Sequence, residues 1–68
     1  MWTKIQYRLI NLDSVKEVYC IGSHTLVVNY VGVNEKIDGH SRFPFETQEE
    51  RDQEFDRLER LLLNERGW

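Results

Sequence analysis

The chain has 68 residues, a net charge of −3 and one cysteine, with 40% hydrophobic and 31% charged residues. That length allows a single domain, 1–68, and a core that buries only about 60% of the surface its unfolded form exposes. Domains this small are commonly reinforced by disulfides, a metal or oligomerisation, and one cysteine excludes an intramolecular disulfide. A lone thiol with no secretory segment suits a cytoplasmic protein. The opening MWTKIQYRL has no apolar run long enough for a membrane span, so no membrane association is expected. Charge is unevenly placed. Residues 1–45 carry Lys4, Arg8, Lys16, Lys36 and Arg42 against Asp13, Glu17, Glu35 and Asp38, a net of +1, and the remainder carries a net of −4. The acidity therefore sits in one C-terminal element, and an average of this sign argues against general nucleic-acid binding.

Taken in chain order, the pattern begins with a period of two. Thr3, Ile5, Tyr7 and Leu9 alternate with Lys4, Gln6 and Arg8, predicting a first strand with one buried side. INLDSV interrupts it, with Asn11, Asp13 and Ser14 supplying turn chemistry. VKEVYCI reads as a second strand, and Gly22-Ser23-His24 as a hairpin connection to a third, TLVVNYV. After a turn over 32–36, a fourth strand places Ile37, Phe43 and Phe45 inward and Lys36, Asp38, His40 and Arg42 outward. Gly39 marks a bulge there, and Pro44 an end or an edge.

The remaining segment, FETQEERDQEFDRLERLLLNERGW, is a helix over 47–65. Thr47 and Glu50 have capping-box spacing, with Phe45 near the staple position. Acids precede Arg57, Arg60 and Arg66, following the helix dipole. Phe55, Leu58, Leu61 and Leu62 make an apolar stripe, with Leu63 on its flank and Gly67 as the stop. EERDQE reads as a solvated face. The expected fold class is α+β: an antiparallel meander of about four strands packed by one C-terminal amphipathic helix.

The third strand is apolar on both sides. Leu26, Val28 and Tyr30 share one face, which the helix stripe covers, while Val27, Val31 and Val33 share the other with Thr25 and Asn29. Together with Trp2, that second face is expected to be an oligomer interface, since a monomer rarely exposes a large contiguous apolar patch. A two-fold homodimer is the commonest solution.

Residues that carry chemistry are sparse. Ser23 and His24 are neighbours in a turn, where their side chains are expected to diverge, with no third group to orient the imidazole. Asp38, His40 and Cys20 lack the spacing of a metal site, and Cys20 reads as a small buried apolar residue. The four glycines form no phosphate loop. The expectation is a non-enzymatic protein without a cofactor. Two binding classes follow. In one, Glu49, Glu50 and Glu54 on the acidic helix end contact a partner protein. In the other, Arg8 and Arg42 hold the phosphate of a nucleotide or of single-stranded nucleic acid, with Tyr19 against a base.

The opening WTKIQ, the segment LINLDSVKEV and the ending FETQEERDQEFDRLERLL resemble a widespread set of small phage and bacterial proteins of uncharacterised role. The resemblance implies an INLD-type turn, a strand meander, an acidic C-terminal helix and a mobile-element accessory role. It extends to counter-defence by binding a host protein or sequestering a nucleotide signal, and it implies no catalytic residues.

Overall fold

The computed structural model describes residues 1–31 and 39–65. Val33, Lys36, Ile37, Asp38, Arg66, Gly67 and the turn expected over 32–36 lie outside the described residues. Among the described residues the chain is α+β, with two antiparallel sheets and a C-terminal helix in place of one four-stranded meander. β1 (Trp2–Ile5) and β2 (Arg8–Asn11) form a hairpin. A 3-10 turn over Leu12–Ser14 leads into β3 (Val15–Ile21), β4 (Thr25–Tyr30) and β5 (Gly39–Pro44), which pair in the order β3-β4-β5. The helix α1 (Gln48–Glu65) completes the chain.

The expected first strand is broken by a two-residue turn at Gln6 and Tyr7. Gln6 has φ of +55°, the left-handed region in which a side chain is strained. Its amide nitrogen offsets that cost by donating to the Pro44 carbonyl at 2.6 Å. The reversal shifts the inward phase by one residue. Thr3 pairs with Ile10 and Ile5 with Arg8, so Ile5 and Ile10 are buried while Leu9 and Tyr7, expected inside, are exposed. Arg8, expected outside, lays its guanidinium 5.3 Å from the centre of the Phe43 ring.

The INLD segment turns through local side-chain chemistry. Asn11 Oδ1 accepts from the Asp13 N–H at 3.1 Å, capping the 3-10 turn. The Leu12 N–H donates to the Met1 carbonyl at 2.8 Å, and the terminal ammonium meets Asp13 at 3.2 Å. Leu12 is thereby held in the core.

β3 and β4 join through Gly22-Ser23-His24, where Gly22 has φ of +58° and its lack of a Cβ is used. The bulge lies in β3 between Val15 and Glu17 and not at Gly39, which opens β5 in regular register opposite Tyr30. Leu26, Val28 and Phe43 project to one face of the sheet and form a continuous core with Ile5, Ile10 and Leu58. Both the helix and the β1–β2 hairpin therefore cover the same face of the three-stranded sheet.

Thr47 caps α1. Its Oγ accepts from the Glu50 N–H and donates to the Glu50 carboxylate, both at 3.1 Å. Two arginines fasten the helix to the strands. Arg51, expected on a solvated face, is buried and donates to the Gly22 carbonyl at 3.1 Å while pairing with Asp52 at 2.9 Å. Its position in the first turns opposes the helix dipole, so the tertiary contact with the β3–β4 turn explains it. Arg57 reaches the hairpin instead, donating to Thr3 Oγ1 and the Lys4 carbonyl, each at 2.8 Å.

Candidate functional site

Three surfaces remain uncovered among the described residues. The first is the outer face of the hairpin, where Trp2 is 63% and Leu9 71% exposed, with Tyr7 97% exposed at the turn. Lys4 pairs with Leu9 and holds its ammonium 5.9 Å from the Tyr7 ring centre. A hairpin packed by one side against a core must leave the other side outward, and here that side carries Trp2 and Leu9.

The second surface is the open face of the three-stranded sheet. Register puts Tyr19, Val27 and Arg42 in one row, with Glu17, Asn29 and His40 in the next. Val27 is only 2% exposed, so the single chain already covers it. Asn29 Nδ2 donates to Glu17 Oε1 at 2.7 Å, which makes the neighbouring row polar. Of the other residues expected at an oligomer interface, Val31 is exposed at the end of β4 and Trp2 lies on the hairpin, away from this face. Arg42 and Tyr19 share the open face, whereas Arg8 lies on the core side against Phe43.

The third surface is a groove of about 320 Å³ between β3 and α1, floored by Val15, Val18, Phe55 and Leu62 and rimmed by Lys16, Glu17, Glu59 and Leu63. Leu63 is 38% exposed. Three consecutive leucines at 61–63 span more arc than one helix face can bury against a single sheet, and that run is the sequence signal for the groove. In the order of the described strands β3 stands at one end. Among the described residues β4 is its partner on one side, and no described backbone hydrogen bond leaves the other edge over 17–21.

The acidic end of the helix is divided in role. Glu54 is held by Arg57, with nitrogen–oxygen distances of 2.5 and 3.0 Å. Glu50 serves the cap and also lines a shallow cleft with Tyr7, Pro44, Phe45 and Glu46. Glu49 is exposed and accepts from Gln53 at 3.4 Å.

Ser23 and His24 do not diverge: the hydroxyl and Nδ1 are 2.6 Å apart. Both are exposed at the tip of a turn, and a lone pair of this kind has no buried environment to tune it. Cys20 is exposed, correcting the expectation of a buried apolar residue. Burial of its surroundings pushes the thiol up, Arg51 opposes that shift and Asp52 adds to it. The hydrogen bond with Glu54 raises Arg57 above its usual range, against a smaller opposing effect of burial. Among the described residues no group of three His, Cys, Asp or Glu side chains is placed to hold a metal ion. Among those residues, too, no helix is long and apolar enough to cross a membrane.

The fold and surfaces define an α+β domain that presents an apolar groove and a mixed sheet face. No protein-family model, curated protein or solved structure matches the chain.

Proposed function

We propose that this chain is a small non-enzymatic binding protein that acts through protein–protein association, with a homo-oligomer, in its simplest form a dimer, as the working unit. The observation that carries this reading is the apolar groove between β3 and α1, lined by Val15, Val18, Phe55, Leu62 and the exposed Leu63. Apolar surface of this kind, rimmed by polar residues, marks a place where another chain docks. Self-association also supplies apolar burial that a chain of 68 residues lacks. Light scattering over a concentration series should approach twice the 8.2 kDa chain mass. A chain that stays monomeric at the highest concentration overturns the reading.

A second reading, capture of a nucleotide or single-stranded nucleic acid, draws support from the Tyr19–Val27–Arg42 row. An aromatic residue and an arginine on one face, with their strand backbones about 10 Å apart across two strand spacings, suit a base and its phosphate. A thermal-shift panel of nucleotides and short oligonucleotides tests it. Hits should vanish with Arg42→Ala and persist with Arg8→Ala, because Arg8 is on the other side of the sheet. A panel without hits overturns this second reading.

A further inference from the structure

We propose that two copies of the chain associate about a two-fold axis beside the β1–β2 turn, each Tyr7 seating in the partner's cleft between Pro44 and the start of α1. This inference rests on the self-association reading above. It places the contact between copies at the hairpin end, which leaves the groove between β3 and α1 to a partner protein. Tyr7 carries the inference. Its side chain stands 97% exposed at the tip of the turn, outside the core that holds the elements together. The turn that presents it is nevertheless fixed. Gln6 keeps a left-handed conformation that costs a side chain, and its amide ties the turn to the Pro44 carbonyl at 2.6 Å. Strain of this kind persists where surrounding structure aims a residue. The Lys4 ammonium, 5.9 Å from the ring centre, steadies the ring as well. An aromatic held in place before binding loses little freedom on binding.

The receptor for such a ring lies beside it. A cleft of about 590 Å³ adjoins Gln6 and Tyr7 and offers Pro44 and Phe45 as apolar surface, with Glu46 and Glu50 as carboxylates. On the hairpin side, Leu9 is 71% exposed, and the charged side chains of residues 1–11 are the cations Lys4 and Arg8. The surface around Tyr7 is thus apolar at its centre, cationic towards the hairpin and acidic towards the helix. Such a surface is complementary to itself. Under a two-fold rotation the cations of one copy face the carboxylates of the other, and each contact occurs twice. Lys4 then meets the partner's Glu46, which is exposed, whereas the Glu50 carboxylate already accepts from Thr47. The two Tyr7 rings come together near the axis, where aromatic pairs attract. A strand of nucleic acid fits this face less well, because its phosphates would pass Glu46 and Glu50.

Light scattering of the whole chain over a concentration series tests the contact. Tyr7→Ala should keep the fold and weaken dimerisation at least about thirtyfold, as loss of an anchoring aromatic does. Lys4→Glu and Glu46→Lys should each weaken it about tenfold, since a two-fold contact sets like charges together twice. Both exchanges in one chain should restore most of the parent's affinity. Leu63→Glu, at the groove, should dimerise as the parent does. If the parent dimerises but Tyr7→Ala does so equally well, or the doubly exchanged chain fails to recover, the hairpin contact is overturned while self-association stands. A parent that remains monomeric at every concentration overturns both. An oligonucleotide that raises the melting temperature of the parent and not of Tyr7→Ala would give this face to nucleic acid, and it too overturns the hairpin contact.

Discussion

Replacing Phe43 with alanine should cost about 3–5 kcal/mol of folding stability, the usual range for emptying a fully buried aromatic site. The ring is buried from every side. On β5 it stands opposite Leu26, and it shares one core with Ile5 of the hairpin and Leu58 of the helix. Arg8 closes the outer side at 5.3 Å. The lost ring therefore serves the sheet, the hairpin and the helix together. Against a total stability of about 5–15 kcal/mol for a whole domain, such a loss leaves a chain of 68 residues near its unfolding threshold. Urea denaturation checks this through a lower midpoint at an unchanged slope. Phe43→Leu, which keeps most of the volume, should cost about 1.5 kcal/mol or less. A loss below about 1 kcal/mol for Phe43→Ala would mean that the three elements do not depend on one shared core.

Arg57→Ala is expected to have the next largest effect, about 1.5–3 kcal/mol, as is usual when hydrogen bonds to a charged group are removed. The guanidinium bridges Glu54 on its own helix to Thr3 and the Lys4 carbonyl on β1. Its loss also strands the Glu54 carboxylate, whose side chain is only 17% exposed. Arg57→Lys should restore little, because one ammonium cannot reproduce a planar fork that serves three partners. Local readout separates this bridge from general destabilisation. Amide exchange should speed up across β1 and β2 before it does in β3 to β5, since the hairpin would open as a unit. Equal acceleration in both sheets would show that the bridge is not what holds the hairpin down. Alkali will not break the bridge from the arginine side. A raised folded pKa keeps the contribution intact below the ordinary arginine value and removes it only above the folded one.

The pairing of β3 with β4, the Gly22 turn and the capped helix were all legible because each has a local cause. VKEVYCI and TLVVNYV are strand sequences joined by a glycine with positive φ, and Thr47 with Glu50 states the helix start. The β1–β2 turn was not legible. Gln6 and Tyr7 carry none of the usual turn residues, and a strained Gln6 is tolerated because its amide finds the Pro44 carbonyl, 38 positions away. That single reversal moved Leu9 and Tyr7 outward and turned the exposed Arg8 toward the Phe43 ring.

The candidate surfaces divide in the same way. Apolar excess on both sides of β4 is written in the sequence, but how much of it is covered depends on neighbours in register, and Tyr19 and Arg42 flank Val27 in the folded chain. Arg51 looks like one more charge on an acidic helix end, yet the Gly22 carbonyl calls it into the interior. The sequence by itself determined the α+β class, the strand pairing around Gly22 and the helix with its cap, because those follow from periodicity, turn residues and spacing within a few positions. Only the tertiary structure decided that the hairpin and helix share one face of the sheet and that an apolar groove lies between β3 and α1. Those features depend on contacts between residues distant in the chain, whose free energy no local pattern records.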